Sequence, residues 1–212
     1  MNYLGLLYFW YRPLAALARL FGRRCPTLKQ MARAHGALYL ETREPNGPAV
    51  VAQIRAYAPD LILSLQFDHV IRAALIAVPA RGVVNVHPSL LPELRGPFPA
   101  FWSLRRAAPA GVSVHVIDSE ALDTGPVLAQ RGVAAIEGES VLALEARLLR
   151  EGARLAAEIV AALEAGTAML RPQEPGRGGY LSYPAKAEVA ALKAAGGRLY
   201  RWRDVARLLR GD

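Results

Sequence analysis

Segments with helical periodicity alternate with short apolar segments along most of this 212-residue chain. Such alternation is typical of βαβ units, in which each helix returns the chain to the start of a parallel strand. The sequence therefore predicts an α/β fold, a mainly parallel sheet with helices on both faces. The predicted strands are 37–40, 61–65, 82–86, 111–117 and 127–135, and the predicted helices are 27–35, 46–57, 70–76, 100–106 and 140–164.

The chain length fits one medium domain with short additions at its ends. Residues 1–26 form an apolar N-terminal segment, and residues 27–166 hold all the predicted strands. Gly166 is a good stop for the long helix before it, and the stretch 172–179 is rich in proline and glycine. We therefore predict a main domain over 27–166 and an appendage over 167–212.

The composition excludes a mainly disordered chain, because 53% of the residues are hydrophobic and only 21% are charged. The net charge of +8 favours anionic partners, but the arginines are spread out and form no nucleic-acid tract. Cys25 is the only cysteine, which indicates a reducing compartment. The N-terminus has no basic region before its apolar stretch, and residues 3–11 are too short to span a bilayer. These features predict a cytoplasmic protein.

Three polar residues are expected at strand ends or in adjoining loops, where open α/β sheets place their ligands: Asn85, His87 and Asp123. Asn85 and His87 are two residues apart in a predicted strand, so their side chains face the same side of the sheet. A buried amide beside an imidazole needs hydrogen-bond partners. Two interpretations remain open: both residues serve a reactive site, or both satisfy the proline-rich loop 88–99 that follows.

Four motifs closely resemble those of the 10-formyltetrahydrofolate-dependent formyltransferase family, in order and at matching spacing. This family includes glycinamide ribonucleotide, methionyl-tRNA and nucleotide-sugar N-formyltransferases. The resemblance covers roughly residues 27–166 and implies a Rossmann-like fold, 10-formyltetrahydrofolate as co-substrate and a primary amine as acceptor. The motifs are NVHPSLLP at 85–92, Arg95-Gly96, GVSVH at 111–115 and LDTGP at 122–126.

The resemblance implies that Asn85, His87 and Asp123 are the catalytic residues. Asn85 and His87 would donate to the developing oxyanion, and Asp123 would orient His87 and relay protons. His115, on the neighbouring strand, either organises a water molecule or has a structural role. The resemblance also implies a cis peptide bond between Leu91 and Pro92.

Two loops are implied to bind the folate pterin. One wall of the pocket would be the loop 67–71, and the second loop, just before Asp123, would read the pterin edge through its backbone. In the first loop, either the Asp68 and His69 side chains face the ligand or both point to solvent and only their backbone matters. The implied folate-binding residues are Phe67, Asp68, His69, Val70, Ile71, Ser119, Glu120, Ala121, Leu122 and His115.

The chain departs from the family at its N-terminus. Family members begin with a central strand and a loop that helps to bind the acceptor, whereas this chain opens with MNYLGLLYFWY. The first strand is missing or replaced, or the natural start lies upstream. Residues 3–21 could form an amphipathic helix that packs on the sheet, pairs with a second subunit in a homo-oligomer, or lies on a membrane; we rank these in that order.

Several functions are weighed on these features. Residues 167–212 are too few for the C-terminal domain with which methionyl-tRNA formyltransferases hold tRNA, so a small-molecule amine, such as a nucleotide-linked amino sugar, is favoured over tRNA. The alternatives are a formyltetrahydrofolate hydrolase and a non-catalytic protein that binds folate or a partner. The histidines lack the spacing of a known metal site, so no metal is predicted. The glycine-rich stretch 176–179 follows no apolar strand, which argues against a phosphate-binding loop.

Overall fold

A computed structural model describes residues 26–134, 136–174 and 176–210. The earlier predictions about the N-terminal helix and Cys25 therefore lie outside the described residues. The helices are α1 (Leu28–Ala34), α2 (Pro48–Tyr57), α3 (Ala73–Ile76), α4 (Pro99–Arg106), α5 (Val141–Glu164), α6 (Lys186–Ala194) and α7 (Trp202–Arg210). The strands are β1 (Ile62–Leu65), β2 (Val83–His87), β3 (Leu94–Arg95), β4 (Ala110–Ile117), β5 (Val127–Val133) and β6 (Gly179–Tyr180).

The described residues divide into two compact units, residues 26–43 with 201–210 and residues 44–200. In the first unit, α1 begins with a capping box, in which Thr27 Oγ1 accepts from the Gln30 backbone N–H and Gln30 Oε1 accepts from the Thr27 N–H. The predicted strand at 37–40 is wrong, because this segment is irregular in the structure. Leu38 there is 79% exposed, and so short an apolar run needs a neighbouring strand to become part of a sheet.

The second unit contains a four-stranded sheet in the order β1-β2-β4-β5. β1 and β2 are parallel, with Ile62 opposite Val83 and Leu65 opposite Val86. β4 is antiparallel to both β2 and β5, so the predicted parallel arrangement does not extend to this half of the sheet. The short loop 118–126 explains the β4–β5 pairing, because such a loop reverses the chain, whereas a parallel pair needs a long crossover.

One face of the sheet holds the main core. Alternate residues of β2 and β4 on this face are apolar, and they pack against one side of α5. Gly152 of α5 lies so close to β2 that a Cβ atom there would come within 2.6 Å of Val86 Cγ1. The helix begins at its cap Ser140, whose Oγ accepts from the Ala143 N–H. The strand residues are Val84, Val86, Val112 and Val114, and the helix residues are Leu144, Leu148, Leu155 and Ile159.

Truncation of Leu148 tests this core. Its side chain is completely buried between α5 and the sheet. We expect Leu148→Ala to lower the free energy of unfolding by about 2 to 5 kcal/mol, because the change removes apolar contacts and leaves a cavity. Urea unfolding followed by circular dichroism measures the difference. The matched control is Leu170→Ala at a 57% exposed position, and an equal loss in both variants would contradict this packing.

The opposite face of the sheet changes from apolar to polar along the strands. At one end, Val83 packs with Val51 of α2 and Leu75 of α3. The next residues on this face are Asn85 of β2 and, opposite it, His115 of β4. With helices on both faces, the predicted α/β class is confirmed. The α2 and α3 helices pack on the apolar end of this face. Asn85, His115 and His87 lie beyond that end and belong to the candidate site.

The segment after α5 packs onto the same unit. Arg171 exchanges two backbone hydrogen bonds with Val127 at the start of β5. β6 then pairs with β3 as a small parallel sheet, and the Trp102 Nε1–H donates to the Ser182 carbonyl. Residues 171–174 and 176–182 therefore form a strap along the edge of the sheet and across the loop that follows β2. None of the helices among the described residues is long and apolar enough to cross a membrane.

Candidate active site

Asn85 and His115 lie opposite each other on β2 and β4 and are joined through their side chains. Asn85 Nδ2 is 3.1 Å from His115 Nε2, and His115 Nδ1 is 3.0 Å from the Val116 carbonyl oxygen. A carbonyl only accepts, so Nδ1 carries a hydrogen, and in the tautomer without a hydrogen on Nε2 that atom accepts from the Asn85 amide. This pairing fixes the orientation of the Asn85 side chain.

His87 ends β2, and its side chain is buried. The Nε2–H donates to the Leu94 carbonyl at 2.9 Å, which leaves Nδ1 3.7 Å from Asp123 Oδ1. Burial lowers the pKa of His87 below its ordinary value of 6.5, even though the nearby Asp123 and the Leu94 carbonyl act in the opposite direction. The ring is therefore neutral at pH 7, and its Nδ1 can accept a proton.

Asp123 lies in the loop between β4 and β5 with a left-handed backbone, φ 55°. Its Oδ2 accepts from the Gly96 N–H at 2.8 Å, and its Oδ1 is 3.7 Å from both His87 Nδ1 and His115 Nε2. Burial raises the pKa of Asp123, but the two histidines and the Gly96 N–H outweigh burial and bring the pKa down to about 2. The carboxylate is thus ionised at neutral pH.

Gly96 can supply that N–H because it has no side chain. Its φ is +99°, and a Cβ atom there would lie 2.3 Å from the Leu181 carbonyl oxygen. Any other residue would be strained and would push the strap away from Asp123. The Arg95-Gly96 motif quoted from the sequence therefore has a structural explanation in this contact.

The structure brings the predicted catalytic residues together. The histidine rings of His87 and His115 are edge-on, with centroids 6.4 Å apart, and Asp123 Oδ1 is equally distant from both. Asn85 joins the group through His115. The Leu91–Pro92 peptide bond in the following loop is cis, as the resemblance implied.

The first predicted pterin loop divides into exposed and buried parts. Phe67 is 43% exposed and its ring lies 5.6 Å from the His69 ring, while Asp68 pairs with His69 at 3.5 Å in solvent. Val70 is also exposed, and its carbonyl accepts from Asn46 Nδ2. Ile71 differs, because its side chain is buried in the apolar cluster of α2 and α3.

The second predicted pterin loop is held by local bonds. Glu120 Oε1 accepts from the Ala73 N–H at the first residue of α3, and the Ala121 carbonyl accepts from Thr124 Oγ1. Ser119 donates to the neighbouring carboxylate of Asp118. Leu122 is 43% exposed. The carboxylate of Glu120 thus ties this loop to the helix that follows the first pterin loop.

Three contributors to the site were not predicted. Two are backbone groups, the Leu94 carbonyl on His87 and the Gly96 N–H on Asp123, and the third is the Gln173 side chain. Arg95-Gly96 gave a signal for the second, whereas nothing in one sequence marks Gln173. Within the parts of the chain that the structure describes, no three histidine, cysteine, aspartate or glutamate side chains are placed to hold a metal ion.

A cavity of about 490 Å³ lies beside the loop after β2. Its walls come from that loop, from β5 and from the strap, and they include Leu91, Leu94, Gln130, Arg171 and Gln173. The catalytic residues predicted from the sequence do not line this cavity. The loop that carries Leu94 therefore has His87 on one side and the cavity on the other.

An amide donor and an imidazole on one sheet face, with an ionised carboxylate in the adjoining loop, define a site suited to acyl transfer with proton relay. Residues 21–160 match the family described as Formyl transferase, and the chain belongs to that family. The family match spans β1 to β5 and most of α5, and it includes Asn85, His87 and Asp123.

Similar proteins are known by sequence and by structure. The methionyl-tRNA formyltransferase of Pelobacter propionicus is 36% identical over 149 residues, which are 70% of this chain and 46% of that protein. This chain thus spans about half the length of the curated relatives it matches. The formyltransferase PseJ from Anoxybacillus kamchatkensis, solved with UDP-4,6-dideoxy-4-formamido-L-AltNAc and tetrahydrofolate, is 25% identical with a TM-score of 0.59, over 79% of this chain and 87% of that one. Glycinamide ribonucleotide transformylase 1 from Symbiobacterium toebii is 26% identical with a TM-score of 0.60, over 68% and 73%.

Proposed function

We propose that this protein transfers a formyl group from 10-formyltetrahydrofolate to the primary amine of a small molecule in the cytoplasm. The observation that carries the proposal is the buried His87 ring, whose Nε2 is held by the Leu94 carbonyl and whose Nδ1 lies 3.7 Å from the Asp123 carboxylate. Membership of the formyl transferase family supports the same chemistry.

Asn85 would stabilise the oxyanion of the tetrahedral intermediate. When the amine nitrogen attacks the formyl carbon, the carbonyl electrons move to the formyl oxygen, which needs a donor. The Asn85 amide nitrogen has two hydrogens, and His115 accepts only one of them. The other is available to the oxyanion, and one such donor accelerates acyl transfer by about 10²- to 10³-fold.

His87 and Asp123 would move the proton. Attack leaves the amine nitrogen with an extra proton, which the unprotonated Nδ1 of His87 can take. The resulting imidazolium is stabilised by the Asp123 carboxylate. When the bond from the formyl carbon to folate N10 breaks, His87 returns the proton to N10, so the products are the formamide and tetrahydrofolate. The bond from Asn85 to His115 supports a positioning role for His115 rather than a separate proton-transfer step.

The folate would bind beside this site, along the two predicted pterin loops. Phe67 and Leu122 supply exposed apolar surface for a flat ring, and the backbone of 119–122 supplies donors and acceptors for its edge. The buried Ile71 would support the loop from below. The exposure of the Asp68 and His69 side chains favours the interpretation in which only their backbone contributes.

We infer a nucleotide-linked amino sugar as the acceptor. PseJ, which was solved with a UDP-linked formamido sugar, matches this chain over 87% of its own length. The 36% identity to the methionyl-tRNA formyltransferase of Pelobacter propionicus makes methionyl-tRNA the second candidate, and it belongs in the same assay.

The assay measures tetrahydrofolate release from 10-formyltetrahydrofolate with a nucleotide-linked amino sugar, with methionyl-tRNA or with no acceptor. Release only with the amino sugar and formation of its formamide support the proposal. Turnover only with methionyl-tRNA reassigns the acceptor, and turnover without any acceptor identifies a hydrolase. Folate binding without turnover in any arm would indicate a non-catalytic folate-binding protein.

The pH profile tests the protonation state of His87. Because burial lowers the pKa of His87 below its ordinary value of 6.5, we expect the acidic limb of the kcat/KM profile to be centred below pH 6.5. The rates are corrected for the separately measured titration of the acceptor amine. Asn85→Ala should lower the whole profile without moving its acidic limb. A limb centred above pH 6.5 in the wild-type protein would contradict a neutral His87 as the proton acceptor.

A further inference from the structure

Gln173, in the strap after α5, makes two hydrogen bonds to the loop that carries Asp123. Its Nε2 donates to the Asp123 carbonyl at 2.9 Å and to the Gly125 carbonyl at 2.7 Å. Both hydrogens of one amide nitrogen are therefore used on two carbonyls that flank Thr124.

The loop conformation held by these bonds is strained. Asp123 has φ 55°, in the left-handed region that residues with a side chain adopt uncommonly. Gly125 is pressed against β4, where a Cβ atom would lie 1.9 Å from the Val116 carbonyl oxygen. A strained loop conformation persists only when contacts with the surrounding structure hold it in place. The Gln173 amide is such a determinant, placed on the residue whose carboxylate faces His87.

The strap fixes Gln173 through its own backbone. Arg171, two residues earlier, forms a pair of backbone hydrogen bonds with Val127, at 2.8 and 2.9 Å. The Oε1 atom of Gln173 is buried and has no hydrogen-bond partner among the described residues. Gln173 thus acts on Asp123 and Gly125 as a donor alone.

The same strap supports the second partner of Asp123. The Leu181 N–H donates to the Arg95 carbonyl at 2.8 Å, and β6 pairs with β3 beside it. Gly96, which follows Arg95, gives its N–H to Asp123 Oδ2. The strap therefore holds the backbone of Asp123 through Gln173. Through its pairing with β3, it also holds Gly96, whose N–H donates to the Asp123 carboxylate.

We propose that Gln173 is a positioning residue for formyl transfer, which sets the distance between the Asp123 carboxylate and His87 by holding the 123–125 backbone. This inference rests on the proposed function, since it assigns Gln173 a part in the same reaction. Gln173 acts through Asp123 and is not itself placed on a reacting atom.

Two substitutions separate positioning from folding. Gln173→Met keeps the length of the side chain and removes both donors. We expect kcat to fall about 10- to 100-fold, as for a misplaced catalytic group, while KM for 10-formyltetrahydrofolate changes less than about twofold. Gln173→Glu faces the two carbonyls with an acceptor when ionised and can donate to one of them when protonated. Because burial against two carbonyl oxygens raises the pKa of that carboxyl, its activity relative to wild type should rise as the pH falls from about 8 to 6.

The matched control is Gln53→Met on the exposed surface of α2, which should keep wild-type kcat and KM. Thermal melts establish that each variant is folded at the assay temperature. A Gln173→Met variant with kcat within twofold of wild type would overturn the proposal. Equal loss in Gln173→Met and Gln173→Glu at every pH would overturn it as well, because that pattern describes a general structural defect.

A readout without turnover separates this inference from the proposed function. The carboxylate of Asp123 raises the pKa of His87, so a displaced carboxylate should lower that pKa further. The imidazole proton signals of His87 in an NMR titration of Gln173→Met should show this decrease, and those of Gln53→Met should not. An inactive wild-type protein would refute formyl transfer, yet the titration would still decide whether Gln173 positions Asp123. An unchanged pKa of His87 would overturn the positioning role.

Discussion

His87→Ala is expected to lower kcat for formyl transfer by about 10²- to 10⁴-fold, the range typical of a lost general acid–base group. The reason is that His87 Nδ1 is the unprotonated nitrogen beside the ionised Asp123, and alanine leaves no group to carry the proton between the two amines. Tetrahydrofolate release under saturating substrates measures the effect. Folate binding, measured by calorimetry, should change little because the predicted pterin loops are elsewhere.

The control for this substitution is His35→Ala, which changes an exposed histidine in the other compact unit. It should keep wild-type kcat. Comparable activity in His87→Ala and in the wild-type protein would remove His87 from the mechanism. A loss of folding in His87→Ala is checked by its thermal melt, and His87→Gln, which keeps a polar group of similar size, then serves as the test.

Asp123→Asn is expected to have the second large effect, a loss in kcat of about 10²- to 10⁴-fold. Asparagine can still accept from the Gly96 N–H, but it cannot stabilise the imidazolium of His87. The pH dependence of its stability should change too. The pKa of Asp123 is about 2 in the folded protein against 3.8 for the free side chain, so the ionised carboxylate stabilises the fold above about pH 5. That stabilisation, about 2 kcal/mol, is lost as the pH falls toward 2.

Unfolding titrations with urea between about pH 2 and 7 test the stability part of this expectation. Asp123→Asn should lack the contribution that the wild-type protein loses over the acidic range. Asp60→Asn, at an exposed position, should retain the wild-type pH dependence. A wild-type and an Asp123→Asn protein with the same pH dependence would show that the carboxylate is not held by the contacts described.

The parts of the fold set by local periodicity could be predicted from the sequence. The predicted helix at 140–164 corresponds to α5, because its apolar positions recur every three or four residues along one side. The alternation in β2 correctly placed Asn85 and His87 on one face, away from Val84 and Val86. These predictions depend only on the geometry of a single helix or strand.

The parts that depend on distant partners could not be predicted. Residues 37–40 have the composition of a strand, but the structure gives them no sheet neighbour and they stay irregular. The antiparallel direction of β4 is fixed by the pairing Val83 with Ile117, which no local pattern encodes. Gln173 meets Asp123 across 50 positions of sequence, and only the path of the strap brings the two together. The resemblance assigned a role to Asp123, but it assigned none to the Gly96 N–H and the Gln173 side chain that hold Asp123 in place.

The alternation along β2 has a consequence for how this chain tolerates change. Val84 and Val86 face α5, whereas Asn85 and His87 face the candidate site. Consecutive residues of β2 are therefore constrained in turn by core packing and by the chemistry of the site. Substitutions on the α5 side change the packing and stability of the strand. Substitutions on the other side change its catalytic side chains. Substitutions on the two faces of this five-residue strand can therefore change stability and catalysis almost independently. A substitution that restores packing against α5 can raise stability without changing the catalytic residues.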